Sequence, residues 1–379
     1  MNWTQHTLFQ LLKRSLVKIM EPKQSASLAD LHLVTHTWAN RPQLHNDSIL
    51  AMKHFFDYCL ETCSSAKLLG DMFHTLTPRP EFVKPLFDKI TEMQDAGLPV
   101  YYIQGNHDLN LVPWLSLHPW PINLNRVTVE LPECGMTVLG QQSTNHDELM
   151  CVFGSIPEGV DTLLLHQAEV RALPFSPEFT LDDVPPQIKN VLIGHIHSPQ
   201  DYSNTHTTLW YPGSPHVTGI DGIGPKGFLV EKVLNGETSI SREVIPGRGF
   251  YKIVMTGAAP DELDEVEEMV REIAGDDARV DNLIPVIQVS YPPHLASLAH
   301  QRLLALRGPL DVYTWLSSDG AVEDDVSLEG RAETTVSDVN MSEIIGRYVD
   351  QPVPRELLLQ IYGGNDTGDV LRSGLEEVL

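Results

Sequence analysis

Gly70-Asp71-Met72-Phe73-His74 follows the apolar run Ala66–Leu69, so a short strand ends in a Gly-Asp turn that carries a carboxylate. Four further islands of Asp, Asn and His have the same setting or extend it. Gly105-Asn106-His107-Asp108 follows Val100–Ile103, and Leu165-His166-Gln167 closes the run Thr162–Leu165. Gly194-His195-Ile196-His197 follows Val191–Ile193, and Asp30-Leu31-His32 stands first in the chain. Each island thus falls on a loop at the carboxyl end of a strand, where open α/β sheets gather their ligands. Helical segments intervene: Ile49–Cys63 and Phe82–Ala96 carry apolar residues three and four apart, and Gly97 stops the second as a C′ glycine. The expected fold class is therefore α/β up to about residue 245.

The side chains in these islands are hard oxygen donors and imidazoles without a thiolate, a set that suits Mn²⁺, Fe or Zn²⁺ better than a Cys-type structural zinc. Asp71 can bridge two cations with its two oxygens. Asp30 and His32 alternate along what reads as an extended segment and would point the same way; His195 and His197 repeat that spacing, with Gly194 permitting close backbone approach. Asn106 offers a neutral oxygen, and His107 beside it is a natural general acid for a leaving alkoxide. Two ions about 3.5–4 Å apart can clamp both the attacking and the leaving oxygen of a phosphodiester. Hydrolysis of a phosphate ester is the chemistry this pattern implies.

Composition narrows the class. The 379 residues imply about two domains with additions, and 42% hydrophobic residues is ordinary for a globular chain. No apolar run approaches the roughly 20 residues that span a bilayer. The stretch Leu8–Met20 is interrupted by Lys13, Arg14 and Lys18 and reads as an amphipathic helix rather than a leader, so a cytoplasmic protein is expected. Cys59, Cys63, Cys134 and Cys151 lack metal-type spacing and are expected as reduced thiols. A net charge of −25 argues against tight, free-standing nucleic-acid binding; bound cations and a partner subunit would have to offset it. Trp210-Tyr211 and Gly227-Phe228-Leu229-Val230 look like a second sheet closing over the first. Residues beyond Gly249 read as β-α-β-α-β: Phe250–Met255, Glu262–Ile273, Pro285–Ser290, Leu295–Leu306 and Asp311–Trp315. An acidic stretch over Ser317–Ser337 looks like a linker. Beyond it, Met341–Tyr348 and Val370–Leu379 each place three spaced apolar residues on one helical face, a pattern suited to docking.

In this order and at these intervals the motifs resemble the calcineurin-like metallophosphoesterase superfamily. Within it the chain is most similar to the SbcD/Mre-type nuclease subunits of DNA double-strand-break processing complexes, bacteriophage relatives included. Two features favour that branch: the second motif ends in His74, and Tyr211-Pro212-Gly213-Ser214-Pro215 with Lys226-Gly227-Phe228 is similar to the family's last block. The resemblance implies a four-layer α-β-β-α sandwich with a small α+β capping domain and C-terminal helices. It implies an N-terminal extension over 1–24, a nuclease domain over 25–245, a DNA-end-selecting cap over 246–317, a linker over 318–337 and a tail over 338–379. The tail would grip an SMC/SbcC-like ATPase, and the chain would pair as a homodimer acting on DNA.

Carried over by position, the resemblance implies that Asp30, His32, Asp71 and His197 hold one ion, and Asp71, Asn106, His166 and His195 the other, both Mn²⁺. His107 would protonate the leaving 3′ oxygen and His74 would orient or stabilise the phosphate. The chain departs from the pattern where Val34 replaces a common glycine and where the polar Ser25-Ala26-Ser27 replaces an apolar strand before Asp30. His36, His45, His54, His118, His146, His206 and His216 match no motif position and are expected on the surface or in packing, with His216 adjacent to the last block. Two rival readings are a small-molecule phosphodiesterase or protein phosphatase of the same superfamily, and a regulatory subunit with a decayed site.

Overall fold

Apolar strands alternate with two amphipathic helices through the first hundred residues, and that alternation builds a parallel sheet. The computed structural model describes residues 24–33, 46–219, 224–234, 237–255, 261–275, 283, 285–310 and 313–317. The expected helix over Leu8–Met20, the positions of Val34, His36 and His45, the linker and the two tail helices lie outside the described residues. In chain order, β1 (Gln24–Leu28), α1 (Asp47–Thr62), β2 (Ser65–Leu69), α2 (Pro80–Asp95) and β3 (Val100–Ile103) come first. The three strands run parallel, β1 to β2 to β3. Helix α2 opens on Pro80, whose missing N–H costs nothing in the first turn, and ends before Gly97 at φ +69°.

β4 (Ile122–Asn123) adds to the edge of this sheet, and β5 (Thr128–Leu131) and β6 (Met136–Gly140) begin a second one. Helix α3 (His146–Phe153) follows, with the Asn145 side chain accepting the Glu148 N–H at its start. β7 (Thr162–His166), β8 (Asn190–Gly194), β9 (Gln200–Ser203) and β10 (Thr208–Tyr211) complete the second sheet. The chain then returns with β11 (Gly227–Leu234) and β12 (Glu237–Val244). Strand order is β12-β11-β1-β2-β3-β4 in the first sheet and β5-β6-β7-β8-β10-β9 in the second.

This corrects one expectation. Trp210-Tyr211 and Gly227–Val230 do not form a sheet together, because β11 pairs antiparallel with β1 while β10 pairs parallel with β8. The second sheet instead contains β7 and β8, so the five motifs come from two sheets rather than one.

Four layers result. Leu28, Leu68 and Tyr102 face Met52, Phe55 and Phe56 of α1 and Leu86 and Ile90 of α2. Leu69, Ile103, Val138, Leu164, Leu192 and Leu229 fill the space between the sheets. Leu163, Val191 and Leu209 pack outward against Leu149, Val152 and Phe153 of α3. The α-β-β-α sandwich implied by the resemblance is the fold of this chain.

The polar strand before Asp30 has a physical cause. Ser25 and Ser27 point between the sheets, where Lys67 is fully buried and donates to Glu231 at 2.9 Å and to Ser25. Ser27 donates to Glu231 at 2.6 Å, and Ser65 joins Ser25 at 2.9 Å and also bonds Glu133. A buried charge pair needs its remaining donors and acceptors satisfied, and the serines do that.

Beyond residue 249, β13 (Phe250–Val254), α4 (Glu262–Ala274), β14 (Val286–Ser290), α5 (Ala296–Ala305), a short α6 (Arg307–Leu310) and β15 (Tyr313–Ser317) follow. Their three strands form a separate parallel sheet with its own core, including Leu263, Val266, Val270, Ile287, Val289 and Leu303. No helix among the described residues is long and apolar enough to cross a membrane.

Candidate metal centre

The strand ends of both sheets meet, and the side chains that follow them converge on Asp71. His32 N–H donates to the Asp71 carbonyl at 2.9 Å and Asp30 N–H to the Gly70 carbonyl at 3.1 Å, which locks the first and second loops together. From the second sheet, the His195 N–H reaches Asp30 Oδ1 at 2.9 Å and Oδ2 at 3.1 Å. His166 Nδ1 lies 2.8 Å from the Leu69 carbonyl. A carbonyl only accepts, so Nδ1 carries a hydrogen, and Nε2 is the nitrogen that faces the centre and would offer its lone pair once its own proton leaves.

Asp71 occupies the middle. Its Oδ2 is 3.5 Å from His32 Nε2 and 3.3 Å from His166 Nε2, while Oδ1 accepts the His107 N–H at 2.9 Å. On one side, His32 Nε2 and His197 Nε2 face each other at 2.9 Å beside Asp30. On the other, Asn106 Oδ1 is 3.1 Å from His166 Nε2 and 3.0 Å from His195 Nδ1. All seven residues marked as ligands in the sequence are therefore in one cluster.

Two details of the reading differ from the structure. Asp30 and His32 are not on an extended segment: β1 ends at Leu28, and the two residues have φ of +51° and +40°. They converge through left-handed backbone, with Leu31 between them fully buried. His195 and His197, despite equal spacing, serve opposite sides of Asp71. Among the described residues five non-glycines have positive φ, and four of them are Asp30, His32, Asp71 and His195. Such conformations cost on the order of 1–3 kcal/mol each, so strain is concentrated where the polar side chains meet.

Two glycines make room for the approach. A Cβ on Gly105 would collide with the Asp71 carboxylate. One on Gly194 would meet the Leu69 carbonyl and stand 2.7 Å from His166 Nδ1, which bears out the close approach expected there.

The electrostatics suit cations. Asp30 and Asp71 are buried to 0% and 1% exposure, and the groups acting on them most are imidazoles. Burial raises the Asp30 carboxyl. Burial also acts to raise Asp71, but the His166 charge and hydrogen bond outweigh it and hold Asp71 well below the usual carboxylate range. Burial pulls His166 down, yet the Asp71 charge prevails and lifts it to about 10. Burial drives His32 well below its ordinary value. Two buried carboxylates, an amide oxygen and imidazole nitrogens aimed at one another form a donor set that a pair of divalent ions would satisfy.

His74 and His107 stand beside this set, both half-buried, with rings stacked 5.2 Å apart at 18°. His107 Nδ1 donates to the His74 carbonyl at 3.1 Å, which fixes the orientation of the ring. His74 Nδ1 is 3.3 Å from His32 Nδ1.

Several residues that the sequence reading gave no role support the centre. Asp108 is buried and accepts the Met72 N–H at 2.9 Å and the Gly105 N–H at 2.6 Å, tying the second and third motif loops; burial pushes its carboxyl up to about 7. Thr218 Oγ1 is 2.9 Å from His197 Nδ1. His216 Nε2 donates to the Leu31 carbonyl at 2.7 Å, and burial lowers His216 to about 4. Position beside the last block was the one signal for His216; Thr218 gave none. A cavity of about 740 Å³ is lined by His216 and Lys226 with Asp47 and His54 of α1, and none of the seven clustered residues reaches it.

No family model matches the chain. It is 26% identical over 219 residues to the DNA double-strand break repair protein Mre11 of Archaeoglobus fulgidus, covering 50% of this chain and 49% of that one. It is 24% identical over 249 residues to the uncharacterized metallophosphoesterase YhaO of Bacillus subtilis, covering 56% and 57%. The aligned region thus spans about half the length of each curated relative. A crystal structure of an uncharacterized protein from Streptococcus pneumoniae, described as a predicted phosphoesterase, overlaps 59% of this chain and 99% of its own at 14% identity and a TM-score of 0.28. Two sheets deliver Asp71 between paired imidazoles on a chain that is similar, over about half its length, to an Mre11 repair protein and to a metallophosphoesterase.

Proposed function

We propose that this chain hydrolyses phosphodiester bonds in DNA, as an exonuclease and endonuclease subunit of an SbcCD/Mre-Rad-like ATPase complex that processes DNA ends. The observation that carries the reading is Asp71 Oδ2 set between His32 and His166 with His107 bonded to the same carboxylate. Asp30, His32, Asp71 and His197 would hold one divalent ion, and Asp71, Asn106, His166 and His195 the other, with Mn²⁺ the proposed metal. When bound, such ions supply Lewis-acid polarisation of a phosphoryl oxygen and acidify water.

The chain's own groups do the rest. The Leu69 carbonyl fixes the His166 tautomer. The His74 carbonyl fixes His107 so that a proton on Nε2 can pass to the leaving 3′ oxygen. His74, stacked on His107 and against His32, is placed to steady the phosphate between them.

DNA as substrate, the ATPase partner and the homodimer are parts of this proposal, supported by the Mre11-like sequence. The chain's charge of −25 means that a partner must supply much of the affinity for DNA. For the homodimer, α1 is a poor surface, since Met52, Phe55, Phe56 and Cys59 are buried in the core. Leu76, Leu111, Val112, Leu117 and Ile122 are exposed instead, and the Leu76 carbonyl accepts from Asn110 and Trp114, which draws the two loops together. We propose these exposed apolar side chains as the surface of the homodimer.

The test compares linear double-stranded DNA with bis-p-nitrophenyl phosphate as substrates in Mn²⁺. Degradation of DNA that is lost in Asp71→Ala supports the nuclease. Cleavage of the small diester with DNA left intact, even with an ATPase partner added, would move the protein to the small-molecule branch. Failure to cleave either would favour the regulatory subunit.

A further inference from the structure

We infer that the segment Ser214–Thr218 is the positioning element of the first half-site, with Thr218 setting the ring of His197 and His216 holding the main chain between Asp30 and His32. The inference rests on the two-ion reading above and concerns how selectively one ion is held.

The two half-sites are supported differently. In the second, His166 is fixed by a main-chain carbonyl of β2, and Asn106 and His195 brace each other. In the first, side chains of one segment add to the main-chain bonds that Asp30 and His32 make with Gly70 and Asp71. His197 is half-buried, and its Nδ1 meets Thr218 Oγ1 at 2.9 Å, so Nδ1 can donate to the hydroxyl and leave Nε2 facing His32 and Asp30. The His197 carbonyl is held in turn: it accepts the Ser214 N–H at 3.0 Å and the Lys226 ammonium at 3.2 Å. Lys226 also donates to Ser214 Oγ at 3.1 Å, and Ser214 Oγ donates to the His216 carbonyl at 2.8 Å.

The same segment then reaches the other loop. His216, 7% exposed, donates to the Leu31 carbonyl at 2.7 Å. That carbonyl lies between two residues with positive φ, where the backbone is strained and an external hold matters. Thr218 meets the side chain of His197 and His216 the carbonyl of Leu31, and neither is itself assigned to an ion. They act through His197 and through the Asp30–His32 loop.

Loss of a hydrogen-bond partner to a metal-binding imidazole typically lowers metal affinity about 10–100-fold. Mn²⁺ titration calorimetry on the full chain tests this. Thr218→Val keeps the shape and removes the hydroxyl; it should weaken one Mn²⁺ by about 10–100-fold and leave the other unchanged. Thr218→Ser should restore the first, a rescue that mere packing would not give. His216→Ala should weaken the same ion. Unchanged affinities in Thr218→Val, or equal weakening of both ions without rescue by serine, would overturn the inference. A wild-type chain that binds no Mn²⁺ would instead remove the two-ion reading on which it stands.

Discussion

At the scale of single residues, the protonation of His166 decides how the centre answers pH. In the metal-free protein the Asp71 charge, prevailing over burial, lifts His166 to about 10, so the imidazole carries a proton at neutral pH that a cation must displace. Asp71 is held ionised throughout and offers no competing proton. Raising pH therefore helps metal binding: Mn²⁺ affinity should climb by up to about tenfold per pH unit between 6.5 and 8.5, a change that titration at three pH values would reveal. A flat profile would contradict the Asp71–His166 coupling. His107 gives a second expectation. A 3′ alkoxide needs a proton to leave, whereas p-nitrophenolate leaves readily without one. His107→Ala should slow DNA cleavage by about 10²–10⁴-fold while affecting bis-p-nitrophenyl phosphate far less, with Mn²⁺ binding retained. Equal losses on both substrates would remove its role as the acid.

At the scale of elements, the strand that delivers the first motif is spanned by a charge pair between its two neighbours that no local pattern announces. Lys67 on β2 and Glu231 on β11 are separated by 164 positions and fully buried. Lys67→Ala leaves Glu231 buried without its cation and should cost about 3–5 kcal/mol in urea unfolding; Lys67→Met combined with Glu231→Leu should cost much less. Equal destabilisation by both would show that the network has no such role. This also explains which elements were legible. The strand ending at Ile103 and the helices α1 and α2 announced themselves through apolar runs and three-to-four spacing. The serines of β1 gave no strand signal because what satisfies them lies on β2 and β11, far along the chain. Asp30 and His32 looked extended because a two-residue spacing says nothing of the left-handed backbone that brings them together. Thr218 was invisible for the same reason as Lys67: its partner is 21 positions away and ordinary in type.

At the scale of the whole molecule, the two sheets make one centre from loops that begin 165 positions apart, as Asp30 and His195 do. The exposed rim from Leu76 to Ile122 belongs to this scale as well. If a second copy covers it, Leu111→Glu with Leu117→Glu should convert a dimer to a monomer in sedimentation analysis while leaving Mn²⁺ binding intact; a wild-type monomer would dismiss that surface. The claim on which everything else depends is that Asp71 joins two ions into one centre. Mn²⁺ electron paramagnetic resonance, with bound metal counted per chain, addresses it directly in the wild type and in Asp71→Ala. The expected result is two ions per chain with the signature of spin coupling, lost in the variant. Ions that bind without coupling, or a coupled pair that survives Asp71→Ala, would contradict it.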